Sequence, residues 1–283
     1  IQMNGSVQGN IESTGALEAG QDISLLGKQL FLSGSLTAGR NLTLQAQEIT
    51  DDTSLSLSAE GNVILSDYIG GDLEIETTRS IETGDLDTSD DGSGTEGGAI
   101  TLRADGNITV DGDITSYSYA DVGQVDSGGN ISISSSSGDV VINGDVITAS
   151  YSYSGNTADG GAILISSLSG DVVINSNITT SSYSNSGDTA DGGTILVSSS
   201  SGDIEIVGNV NAYSYSESGR TRNGGDITLS SGSGNILVRG LNTFSASVSG
   251  DTGNGGDITL STDSFGSIVT IRGIRFCFNI HSR

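Results

Sequence analysis

The chain has 283 residues with 43 Gly, one Cys, and no Pro or Trp, a profile unlike that of an ordinary globular domain. Thirty-five Asp and Glu against ten Lys and Arg give a net charge of −25, which repels phosphate backbones and anionic lipid surfaces and argues against a nucleic-acid partner. No apolar run approaches the ~20 residues of a membrane-spanning helix, so no membrane insertion is expected.

Hydrophobic residues make up 34% of the chain, and they are mostly Ile, Val and Leu at alternating positions. That alternation is the signature of strands, and it argues against disorder despite the abundance of Gly and Ser. A chain that opens on Ile1 without the charged and apolar regions of a signal peptide reads as a piece of something longer.

From the N-terminus, short alternating segments appear at Asp22–Leu26, Asn41–Leu44, Leu55–Leu57, Asn62–Leu65 and Asp72–Ile75, most of them parted by Gly. The steps from Asp22 to Asn41 and from Asn41 to Asn62 are 19 and 21 residues, which predicts stacked coils of roughly 20 residues over 1–96. The stretch Glu82 to Glu96 is acidic with little apolar periodicity. A solvated loop and a calcium-binding loop both fit it, since oxygen ligands are plentiful.

From residue 97 the spacing lengthens and becomes regular. Gly-Gly pairs start at Gly97, Gly128, Gly160, Gly192, Gly224 and Gly255, at intervals of 31 or 32. Each pair precedes a strand whose inward residues are Ile100 and Leu102, Ile131 and Ile133, Ile163 and Ile165, and so on to Ile258 and Leu260. A second strand follows a Gly-Asp or Gly-Asn step, with inward pairs such as Val140 and Ile142 or Val172 and Ile174, and a third begins near Ile114, Val146, Ile178 and Val210. Gly-Asp and Gly-Asn are corner formers, and one coil alone cannot cover its apolar face.

The pattern therefore predicts an all-β chain folded as a right-handed parallel β-helix, a β-solenoid. Each coil is expected to carry three short strands, with loops projecting on one side. The handedness rests on the general preference of parallel crossovers. The predicted organisation is a solenoid of shorter, irregular coils over 1–96, a solenoid of about 32-residue repeats over 97–274, and an irregular C-terminal end over 275–283.

The last third of each long unit is rich in Tyr, Ser, Gly and Asp and is expected to project from one side. Tyr119, Tyr151, Tyr183 and Tyr215 recur every 32 residues, which sets four rings at one corner of successive coils. They are either a stacking ladder that stiffens the rod or an exposed stripe that binds a sugar or another surface. They are the candidate binding residues.

Little in the chain suits catalysis. The single His281 and single Cys277 both lie in the irregular terminus, and neither a Ser-His-Asp nor a Cys-His arrangement has material to build on. No catalytic residue, metal ligand or cofactor is expected. Asp139, Asp171 and Asp203, like Asp159 and Asp191, recur once per unit as turn formers do. Asp159-Gly160-Gly161 and Asp191-Gly192-Gly193 share only part of the calcium-binding nonapeptide pattern. Polysaccharide lyases and hydrolases also use parallel β-helices, so a β-helical enzyme on polysaccharide is the alternative reading.

Ala19-Gly20-Gln21-Asp22-Ile23-Ser24-Leu25 is echoed by Ala38-Gly39-Arg40-Asn41-Leu42-Thr43-Leu44, and more loosely by Ala59 to Leu65. These strings resemble the repeat units of filamentous-haemagglutinin-like adhesins of the two-partner secretion family, and Gly225–Leu229 and Gly256–Leu260 are similar to the same repeat region. The resemblance implies a secreted or outer-surface bacterial protein, exported by an outer-membrane transporter, that serves as a structural and adhesive shaft and is not an enzyme. It implies cell adhesion through a cell-surface glycan or protein receptor. The family's secretion domain carries Asn-Pro motifs, and this chain has no Pro, so it resembles the repeat shaft.

Overall fold

The structure is a computed structural model that describes residues 2–4, 9–90, 92–263, 267–270 and 274–277. Among the described residues there is no helix. The strands form one continuous hydrogen-bonded sheet whose pairings are parallel, as a β-solenoid requires.

The registers follow the sequence periods directly. Ile131 pairs with Ile163 and Ile163 with Ile195, each at most 1% exposed. A second series runs Ile23, Leu42, Val63, Ile81, Ile108, Val140, Val172, Ile204 and Ile236, and all nine side chains are buried. A further series joins Leu30, Ile49, Tyr68, Leu86, Ile114, Val146, Ile178, Val210 and Leu241. The interior is thus a set of aliphatic columns, in which each buried side chain meets its counterpart one turn away at the ~4.8 Å spacing of neighbouring strands.

Polar side chains fix the corners. Asp139 Oδ1 accepts the Asp171 N–H at 2.9 Å, Asp171 Oδ1 accepts the Asp203 N–H at 2.8 Å, and Asp203 Oδ1 accepts the Asn235 N–H at 2.6 Å. The same ladder runs from Asp22 through Asn41 to Asn62 in the shorter turns. Corner Asp and Asn are recurrent because each supplies the acceptor for the next turn's otherwise unpaired N–H.

The Gly-Gly pairs have a specific steric cause. A Cβ on Gly160 would lie 2.5 Å from the Ser181 nitrogen, and one on Gly192 would lie 2.6 Å from the Tyr213 backbone. The second Gly of each of these pairs, Gly161 or Gly193, holds φ of 85° or 87°, in the left-handed region.

Two expectations need adjustment. The Tyr-Ser segments begin as strand, because the strands from Ile114, Val146 and Ile178 run on to Ala120, Ser152 and Ser184. Alternate Ser and Thr along them are buried, so this half of each segment is ordered wall and only the remainder is loop. At the far end, Ile274–Cys277 is a strand that pairs in parallel with Leu241–Phe244, so the pattern continues past residue 275. Residues 278–283, including His281, lie outside the described residues.

Candidate functional site

The four predicted tyrosines sit on neighbouring strands in register, Tyr119 with Tyr151, Tyr151 with Tyr183, and Tyr183 with Tyr215. Their ring centroids are 5.5, 4.8 and 5.2 Å apart and their planes are tilted by 26°, 6° and 18°. The expected ladder is therefore formed. At one end a Cβ on Gly92 would meet the Tyr119 ring at 3.7 Å, and at the other Tyr215 pairs with Ala246, which ends the ring series.

Alternation explains why the rings face outward. In Ser150-Tyr151-Ser152 the two Ser are fully buried and the Tyr is half-buried. The buried hydroxyls meet a returning segment whose Val125, Thr157, Thr189 and Thr221 form a parallel column of their own. Thr157 and Ser182 hydroxyls lie 2.7 Å apart, Thr189 and Ser214 2.5 Å, and Thr221 and Ser245 2.6 Å. The aromatic wall thus rests on a thin interior of small hydroxyl side chains, where hydrogen bonds take the place of aliphatic bulk. Sequence reading missed this column, although the 32-residue spacing of Thr157, Thr189 and Thr221 was there to find it.

Because the rings stack on one another, a ligand meets their edges and hydroxyls and few free ring faces. Tyr119 donates its hydroxyl to the Asp121 carboxylate, and this bond pushes its pKa up to about 12. Burial, then the neighbouring Tyr153 hydroxyl, pushes Tyr151 up to about 12, and burial raises Tyr183. The phenols of Tyr119, Tyr151 and Tyr183 are therefore neutral throughout the physiological range. Exposed Tyr153 packs edge-on to Tyr151 at 5.6 Å, and Tyr213 stacks on Phe244 at 4.9 Å beside the main ladder.

A polar groove of about 550 Å³ follows the Gly-Gly pairs and is lined by Asp159, Asp191, Asp226 and Asp257. Its carboxylates serve the backbone: Asp159 Oδ1 accepts the Asp191 N–H at 3.0 Å and Asp226 Oδ1 accepts the Asp257 N–H at 2.8 Å. In the acidic stretch, burial opposes ionisation of Asp90. Hydrogen bonds from the Ser93 and Thr95 hydroxyls and the Gly94 N–H outweigh it and hold the carboxyl below the usual range. Among the described residues no three His, Cys, Asp or Glu are grouped so as to hold a metal ion.

No protein-family model, no curated protein and no solved structure matches the chain.

Proposed function

We propose that the chain is the shaft of a secreted bacterial surface protein, a right-handed parallel β-helix with three strands per coil that mediates attachment through a repetitive lateral surface. The resemblance of Ala19–Leu25 and Ala38–Leu44 to filamentous-haemagglutinin-like repeats supports this reading, and with it export through an outer-membrane transporter by two-partner secretion. The register series support three walls per coil, and the right-handed sense follows the general rule for parallel crossovers.

The observation that carries the adhesive role is the tyrosine ladder. Four stacked rings present the same edge and hydroxyl at one position of successive turns, so a receptor glycan or protein meets a row of identical contacts. Repetition raises the strength of a weak contact by keeping neighbouring contacts at high effective concentration. Ring stacking also prepays the ordering of the side chains, which lowers the cost of binding.

The test is attachment of the purified chain to cells and to a glycan panel, with Tyr119, Tyr151, Tyr183 and Tyr215 all replaced by Ser. The proposal expects binding to fall sharply in the variant while far-ultraviolet circular dichroism stays β-rich. Binding untouched by the four changes overturns the role of the ladder. Glycan turnover that disappears when one groove carboxylate, such as Asp191, becomes Asn overturns the non-enzymatic reading.

A further inference from the structure

One charged residue breaks the aliphatic columns. Asp51, the register partner of Gly70 and just 7% exposed, is the one buried Asp or Glu among the described residues. The register is disturbed at the same place, since the three-residue step from Phe31 to Gly34 is matched by a five-residue step from Thr50 to Leu55. The widened corner opens a cleft of about 510 Å³.

Asp51 Oδ1 accepts the Thr53 N–H at 3.1 Å, but Oδ2 is buried with no hydrogen-bond partner among the described residues. The adjacent Tyr68 hydroxyl does not neutralise it; it points to the Gly71 carbonyl at 3.4 Å. A buried carboxylate oxygen without a donor is strongly disfavoured, so it calls for a cation or a proton donor from outside. The same cleft is lined by Glu12 and by Phe31, whose side chain is 43% exposed, and by no Lys or Arg.

We infer that this cleft binds a primary ammonium group, with Asp51 as its buried acceptor, Glu12 as a second carboxylate at the rim and the Phe31 ring against the cation. A carboxylate and an exposed aromatic ring are the two groups that recognise an organic cation, one by charge-assisted hydrogen bonding and the other by its ring quadrupole. The hydroxyls of Thr14, Ser33 and Thr53 around them suit a polar, hydrogen-bonding ligand. The overall charge of −25 draws such cations toward the surface and repels anions. The assignment is independent of the tyrosine ladder.

The test is titration of the whole chain with n-butylammonium, watched by NMR chemical shifts, beside the neutral n-butanol and the anionic butyrate. The ammonium is expected to bind and the other two are not. Asp51→Asn, which keeps the side-chain shape, should weaken binding at least about tenfold, a difference of 1.4 kcal/mol. Phe31→Leu, which keeps apolar bulk, should weaken it about threefold. Parallel titrations with Nα-acetyl-lysine amide and with glucosamine distinguish a protein side chain from an amino sugar as the source of the ammonium. As a folding control, Asp51→Asn should melt no lower than the parent without ligand, and butylammonium should raise the melting temperature of the parent alone. Butanol binding as tightly as butylammonium, or an unchanged affinity in a folded Asp51→Asn chain, overturns the assignment.

Discussion

The Tyr151 and Tyr183 rings lie 4.8 Å apart and within 6° of parallel, although 32 residues separate them in the chain. That pair joins sequence period to surface: the backbone register brings the two Cα atoms together, and the outward half of the strand alternation turns both rings to the same face. The ladder follows from the fold, and any binding role is built upon it.

Stability should depend on how many rings each aromatic side chain stacks upon. Tyr183 stacks on two rings and Tyr213 on one. Tyr183→Ser is expected to cost about 1–3 kcal/mol and Tyr213→Ser roughly half as much, at ~0.5–1.5 kcal/mol per aromatic pair. Urea unfolding followed by circular dichroism measures both, and equal losses would count against stacking as the cause.

The Gly-Gly pairs should be intolerant for a steric reason. Gly192→Ala places a methyl 2.6 Å from the Tyr213 backbone, whereas a Cβ on Gly20 meets nothing within 4 Å. Gly192→Ala should lose about 1–3 kcal/mol through forced backbone movement. Gly20→Ala should change stability by no more than about 0.5 kcal/mol. Matched thermal melts of the two variants make the comparison.

Both acid and alkali should loosen the rod. Asp145 is held below the usual carboxylate range by the Ser176 hydroxyl and, against some burial, by the backbone and side-chain N–H groups of Asn177 at 2.9 and 3.1 Å. Its contribution is therefore complete above the ~3.9 of an unfolded Asp and is lost as pH falls through the lower folded value. Ser176→Ala should move the midpoint of acid unfolding upward.

At the other extreme, Tyr119 and Tyr151 are each pushed up to about 12, Tyr119 first by the Asp121 bond and Tyr151 first by burial. Stabilisation from these raised groups is complete below the ~10 of an unfolded Tyr and is lost as pH rises through the folded values. Asp121→Asn should bring the Tyr119 phenolate absorbance back toward the ordinary range.

Much of this architecture was legible in the residues. The intervals between Gly-Gly pairs gave the register, and the Ile131, Ile163 and Ile195 positions gave the column, because a strand's inward faces must match from turn to turn. The ladder at Tyr119, Tyr151, Tyr183 and Tyr215 was legible for the same reason. The continuation of strand into Tyr-Ser-Tyr was hidden because its inward residues are Ser and Thr, which read as loop when no aliphatic alternation marks them. Asp51 was hidden for the opposite reason: an acidic residue in a short irregular turn looks solvated, and only the bulge between Asp51 and Ser54 reveals that it is turned inward.

The most direct test of the stacked columns is disulfide trapping in a Cys277→Ser background. Ser166 and Ser198 are register partners, so cysteines at both positions should close under mild oxidation, within the ~4.4–6.8 Å Cα range of a disulfide. Ser166→Cys with Leu196→Cys, displaced two residues along the strand, should stay reduced. Failure of the first pair to close, or equal closure of the second, would contradict the 32-residue register on which the fold, the ladder and the proposed surface depend.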